Sequence, residues 1–197
     1  MTHHLFSPRE RQSVAVACAP DATPPSYKLE EELDGCTTLP FDLVLKRLTF
    51  KKGGTQESDD VEELKDIWCD IQPNSLAWLI VSEQARAVID QHATENDRHA
   101  WMAVTICRGH AEARPYYILW FTEQQDTLNP EQSTYWPLTG QIIKPVLDKD
   151  KISKLAVFPY PSDYWKFPSL AFISAKIKAH IKKDGLIGFS FTDARVK

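Results

Sequence analysis

The chain has 197 residues, 43% of them hydrophobic and 25% charged, an ordinary globular composition able to build a sizeable core. Its longest apolar runs, such as Ala77 to Val81, fall far short of the roughly 18–20 residues of a membrane span, and a net charge of −4 argues against a nucleic-acid partner. Charge is uneven: residues 1–140 hold 12 Lys+Arg against 22 Asp+Glu, and residues 141–197 hold 11 against 5, so either the two parts attract each other in one fold or an acidic face is kept for a basic partner.

Residues 1–26 contain Pro8, Pro20, Pro24 and Pro25 without sustained periodicity and read as a loosely held arm; residues 27–197 read as a single α+β domain. The His3-His4 pair carries no evident signal. Although Arg9 and Arg11 precede an apolar patch, Val14 to Ala19 is only six residues, shorter than a secretory core of about 7–15. A cytoplasmic chain is therefore expected. Cys18, Cys36, Cys69 and Cys107 are too widely spaced for a disulfide framework and are expected to be reduced.

From Pro40, the alternation of Phe41, Leu43 and Leu45 with polar neighbours predicts a strand that turns at Gly53-Gly54. Ser58, followed by Asp59 and Asp60 and by Val61, Leu64 and Trp68 at spacings of three and four, predicts an N-capped helix with acids in its first turn. Its exposed acids, Asp59, Asp60, Glu62, Glu63 and Asp66 with Glu57, are either a solvated face or a docking surface for a basic protein. Acids elsewhere, such as Glu95 and Asp97, offer a charge-reversal control that separates local steering from the effect of net charge.

The most informative feature is an approximate repeat. Trp78 to Ser82 is an apolar strand closed by serine, followed by Ala85, Val88, Ile89 and His92 on one helical face. Leu170 to Ser174 repeats the pattern, followed by Ile177, His180, Ile181 and Asp184. Each serine is expected to cap its helix, and a further strand, Ala100 to Cys107 or Leu186 to Phe191, follows each. The fold expected is α+β, a mixed sheet or sheets with two strand-Ser-helix-strand units. Between the units lie an aromatic strand at Tyr116 to Phe121 and a turn-rich stretch through Tyr135-Trp136-Pro137. The proline-interrupted segment 158–168 places Tyr160, Tyr164 and Trp165 either across a sheet edge or on a partner-facing loop.

Catalytic and metal motifs are not recognisable. Cys107-Arg108-Gly109-His110 offers two ligands where a structural zinc needs four. A thiol site would have to be assembled in space from Cys69 or Cys107 and a distant histidine. Gly185-Leu186-Ile187-Gly188 follows a helix, so Gly185 is expected as a C-cap and not as part of a phosphate loop. Lys176, Lys178, Lys182 and Lys183 flank an apolar stripe and do not form a basic one. No cofactor or metal is expected.

The doubled Ile-Val-Ser and Phe-Ile-Ser helix starts, Tyr116-Tyr117-Ile118-Leu119 leading to Asp126-Thr127-Leu128-Asn129 and Ser133, and the closing Gly185-Leu186-Ile187-Gly188-Phe189-Ser190-Phe191 resemble the DUF1629 or Imm11-type family of bacterial immunity proteins over roughly residues 60–193. The resemblance implies a cytoplasmic inhibitor that binds a cognate toxin and has no catalytic residues of its own. The expected partner surface is then Asp59, Asp60, Glu62, Glu63, Asp66, Tyr160, Tyr164 and Trp165, with no nucleic acid and no membrane; oligomeric state is open. The alternative is a small enzyme with a Cys/His or carboxylate site brought together by the fold.

Overall fold

The computed structural model describes residues 2–9, 13–110 and 112–197; Arg11, part of the N-terminal reading, lies outside the described residues. In chain order the elements are β1 (His3–Pro8), β2 (Ser13–Cys18), α1 (Ser26–Glu32), β3 (Leu43–Lys51), β4 (Gly54–Ser58), β5 (Ile80–Ser82), α2 (Glu83–His92), β6 (His99–Arg108) and β7 (Glu112–Phe121). The hairpin strands β8 (Thr134–Tyr135) and β9 (Ile142–Lys144) follow, then β10 (Val157–Pro159), β11 (Ala171–Ser174), α3 (Ala175–Lys183) and β12 (Phe189–Asp193). This is an α+β fold. One sheet runs β2-β3-β6-β7-β5 with β4 added beside β3, and a second runs β10-β11-β1-β12; the larger sheet is mixed, because β3 and β6 are parallel while its other pairs are antiparallel.

Strand alternation explains the first core. Met102, Val104 and Ile106 of β6, Tyr116 and Ile118 of β7, and Leu43 and Leu45 of β3 point to one face and pack with Trp78, Leu29 and Phe167. The second core lies where the two repeat units meet. Ala85, Val88 and Ile89 of α2 share it with Ile177 and Ile181 of α3, together with Val81, Ile173 and Leu119 from the strands. Both caps form as expected: the Ser82 hydroxyl accepts the Ala85 amide at 3.2 Å and the Ser174 hydroxyl accepts the Ile177 amide at 3.5 Å. At the other end of α3 the Gly185 amide donates to Lys182 and the Leu186 amide to Ile181, with Gly185 at φ 68°; that double bond satisfies the orphan carbonyls of the last turn.

Several expectations change. Residues 3–8 and 13–18, read as an irregular arm, form strands, and β1 is interior to its sheet, paired with both β11 and β12. The histidines read as featureless are both buried: His3 Nε2 donates to the Leu155 carbonyl at 2.9 Å and His4 bonds Asp193 at 2.8 Å. Residues 58–68 form no helix. Ser58 ends β4, its hydroxyl accepts the Asp60 amide and the Asp60 carboxylate accepts the Glu62 amide, so side chains take amides that a helix would have used. Val61, Leu64, Ile67 and Trp68 reach the first core from turns. Asp97 is no surface charge: fully buried, it accepts the Thr94 amide, the Thr94 hydroxyl and the Ala156 amide.

Asp70 and Gly188 join the two sheets. One Asp70 oxygen accepts the Ser82 hydroxyl at 2.7 Å and the other accepts the Ile187 amide at 2.8 Å, while the Asp70 amide donates back to Ile187. Gly188 stands at φ 92°, where an added Cβ would meet Cys69 Cβ and the Ile71 carbonyl at 2.8 Å each. Gly188→Ala should therefore lower stability by roughly 2–4 kcal/mol through combined strain and overpacking. Gly185→Ala, where space is open, should cost only about 1 kcal/mol; urea unfolding of both variants checks the difference.

A pH dependence follows from the helix pair. His92 Nε2 and His180 Nδ1 lie 2.9 Å apart between α2 and α3, a hydrogen bond that requires one nitrogen to lack a proton. Burial, then the neighbouring His180 and Lys176, holds His92 below its ordinary 6.5, and burial does the same to His3. Both groups bind protons more readily unfolded, so their contribution to stability is complete above pH 6.5 and is lost as pH falls from there through the lowered native values. Urea midpoints should fall between pH 7.5 and pH 5.5, both values on the order of one unit either side of the histidine reference. His92→Gln should flatten the slope; an unchanged slope rejects the His92 contribution.

Candidate interaction surface

Past β7 the polar run Gln124 to Thr127 crosses to a short ladder. The Asn129 amide donates to Val146 and the Asp148 amide to Thr127, while the Ser133 hydroxyl donates to the Val146 carbonyl and accepts its amide. These bonds fix the base from which the β8–β9 hairpin projects. Its turn is closed by the Trp136 amide on Gln141 and the Gly140 amide on Trp136, with Gly140 at φ 70°. The hairpin carries Trp136 at 52%, Leu138 at 90% and Ile143 at 46% exposure, large apolar groups that an isolated fold would bury.

Between this hairpin, the 124–128 segment and the 160–164 loop lies a cleft of about 550 Å³. Tyr160 and Tyr164 both line it. The Tyr160 ring is stacked on Phe172, centroids 6.0 Å apart, and burial raises its phenol above the ordinary value, so it remains neutral. Tyr164 is 58% exposed and also borders a second cleft of about 240 Å³ beside Tyr27, Glu30 and Trp78. The remaining aromatics of the segment pack inward: Phe158 on Phe172, Phe167 on Trp78 and Trp120, and Trp165 partly buried against the second core. Sheet packing thus claims most of the segment and leaves Tyr164 as its outward aromatic.

The acids lie elsewhere. Glu62 pairs with Arg108 at 3.4 Å and Glu63 with Arg47 at 3.2 Å, beside the C-terminal end of β6. Gln125, by contrast, donates to the Asn96 carbonyl, next to the N-terminal end of β6, and a ten-residue strand separates the two ends by about 30 Å. Asp59 and Asp60 are exposed, and Asp66 lines a shallow recess with Leu64, Lys65 and Cys69. Sequence reasoning named Tyr160 and Tyr164 as partner-facing, quoted Asp126-Thr127-Leu128 only as a family motif, and passed over Gln124, Gln125, Leu138 and Ile143; the available signal was an apolar Trp136-Pro137-Leu138 triplet inside a turn.

The thiol centre that an enzyme reading would require is not assembled among the described residues. Cys107 Sγ faces the Asp42 carboxylate at 4.0 Å, and burial with that charge raises its pKa, favouring the unreactive thiol. No hydrogen bond links a cysteine to a histidine among the described residues, and no cluster of three His, Cys, Asp or Glu suited to a metal occurs among them. Glu30 is raised by burial without a second carboxylate among the lining residues of its cleft. No helix of the described residues is long and apolar enough to cross a membrane.

Among known families, the model of the immunity protein family Imm11 matches residues 47–196. No curated protein matches the chain.

Proposed function

Because the chain belongs to the Imm11 immunity protein family, we propose that it binds and neutralises a cognate secreted bacterial toxin in the cytoplasm of the producing cell, by protein–protein contact and without catalysis of its own. Family membership carries this reading. The apolar hairpin supports it, since Trp136, Leu138 and Ile143 are exposed on it while its Gly140, Gln141 and Ile142 line the larger cleft with Tyr164, and aromatic anchors concentrate binding energy. A standard interface covers about 800 Å² of each partner, enough to span the hairpin and the 160–164 loop. The acidic stretch Asp59, Asp60, Glu62, Glu63 and Asp66 is assigned a steering role for a basic toxin, because Asp59 and Asp60 are exposed, Glu62 and Glu63 remain largely in water even where they are paired, and Asp66 lies half-buried beside them.

The test is co-expression with any toxin gene found to neighbour this chain's own, scored by growth and by recovery of a complex. Protection with a stoichiometric complex is expected; toxicity undiminished by the wild-type chain rejects the proposal. Replacing Trp136 and Leu138 together by Ser should weaken the complex at least about 100-fold, as for truncation of two anchors, yet shift the urea midpoint by less than about 0.5 kcal/mol equivalent because neither side chain supports the core. Reversing Asp59, Asp60, Glu62 and Glu63 to Lys should lower the association rate, most at low salt, with little effect on dissociation. Equal rates for wild type and this variant in low salt reject the steering role alone.

A further inference from the structure

We infer that the cleft between α1 and the 164–169 segment receives a lysine side chain presented by the partner protein, with Glu30 as its counter-charge and the rings of Tyr27 and Tyr164 as its walls. The inference rests on the immunity reading for the identity of that partner and on the following chemistry for the residue it presents.

This cleft, of about 240 Å³, shares Tyr164 with the larger one beside the hairpin. Tyr27 and Glu30 are three residues apart on α1, so one face of the helix brings both to it. Its floor is fixed in advance. The Asn74 side chain accepts the Trp78 amide at 3.2 Å and donates to the Trp78 carbonyl at 2.7 Å, which holds Ala77 at φ 58°, a left-handed conformation that costs energy for alanine. Trp78 is thereby set against Phe167, ring centroids 4.8 Å apart, and little of this floor has to be ordered by an occupant.

Among the described residues that line the cleft, Glu30 is the one charged group. It makes no ion pair among the described residues. Its carboxylate approaches the Trp78 indole nitrogen without closing a hydrogen bond, and Lys166, the cation whose charge reaches it, is already held by Asp34 at 2.7 Å. Burial, the larger influence, keeps the Glu30 pKa above the ordinary carboxylate value. A half-buried carboxylate in this condition is stabilised by any cation brought beside it. Glu31, Glu32 and Asp34 against Lys28 add a local field of the same sign, which attracts cations and disfavours phosphate or carboxylate occupants.

The tyrosines supply the second condition. Tyr27 is 52% and Tyr164 58% exposed, so both rings are open to an occupant, and a cation over such a ring is attracted by its quadrupole. Lysine fits better than arginine. The Glu30 carboxylate and the hydroxyls of Ser26 and Ser169, which line the same cleft, are three acceptor groups for the three donors of an ammonium, whereas a guanidinium brings five. The apolar stem of lysine would lie along Leu76 and Phe167, which also line the cleft.

The experiment is an NMR titration of the ¹⁵N-labelled full chain with acetyl-Gly-Lys-Gly-amide, compared with the same peptide carrying norleucine, which keeps the stem without the ammonium, and with the arginine peptide. Saturable shifts confined to residues 26–30, 76–78 and 164–169 are expected, with a dissociation constant on the order of millimolar for so small a probe. The norleucine peptide should bind at least about 10-fold more weakly. Glu30→Gln and Tyr27→Leu should each weaken the lysine peptide several-fold, and an otherwise unchanged spectrum establishes that each variant is folded. Absence of saturable shifts, shifts scattered over the surface, or equal binding of the norleucine or the arginine peptide overturns the inference. In the co-expression assay Glu30→Gln combined with Tyr27→Leu should also weaken protection. Undiminished protection by that double variant overturns the inference while leaving the immunity reading intact, whereas failure of the wild-type chain to protect overturns the immunity reading and is read independently of the peptides.

Discussion

The fold depends on a joint a few residues wide. Asp70 lies in a bend just before the bridge residue Ile71, and its two carboxylate oxygens reach in different directions: one to the serine that starts α2, the other to the loop that leads into β12. Gly188 in that loop comes so close to Cys69 and Ile71 that no side chain fits. Without these contacts β5 with α2 and β11 with α3 would be two sheet-and-helix units whose apolar helix faces require a partner. With them, each unit becomes the other's partner, and the second core closes between the two helices.

This joint also explains which parts of the fold were readable in sequence. Strand, serine and helical stripe are local signals, so both units could be located from the spacing of Ser82 with Ala85, Val88 and Ile89 and of Ser174 with Ile177 and Ile181. Strand β6 was likewise visible as a β-rich run at Ala100 to Cys107, and the second half of β7 as an aromatic one at Tyr116 to Phe121. The segment 58–68 failed because spacings of three and four describe which residues face a core, not the backbone that carries them there. Ser58 and Asp60 could cap either a helix or successive turns, and packing of Val61 and Trp68 against the sheet selects turns. The arm failed for the converse reason: β1 lacks a strong pattern of its own, and its place depends on β11 and β12, more than 160 residues distant.

The proposed interaction surface was only half legible for a related cause. Aromatic residues near prolines can be recognised in sequence, but whether they are exposed depends on what lies across from them. Phe158 and Phe167 find aromatic partners on distant strands, whereas Tyr164 does not enter a core. The polar wall at Gln124 to Thr127 enters the sequence reading only through the Asp126-Thr127 start of a family motif, with no local sign that it faces a cleft. It acquires meaning only when the ladder to Val146 and Asp148 sets it against the hairpin.

The same ladder supports the thin hairpin to which recognition is assigned in the proposed function. A two-stranded ribbon alone is marginal in water, and exposed Trp136 and Leu138 would add nothing to its stability. Here its base is tied through Ser133 to both backbone groups of Val146, and Leu147 is tied in turn to the C-terminal Arg195 and Lys197. Leu147 itself is buried with Ile152, Phe158 and Phe172, the last of these being the ring on which Tyr160 rests. Both walls of the cleft are thus anchored in one small core, which limits the ordering cost that a partner must overcome when it binds. Apolar surface that contributes nothing to folding is retained on a rigid support, where it can contribute to association instead.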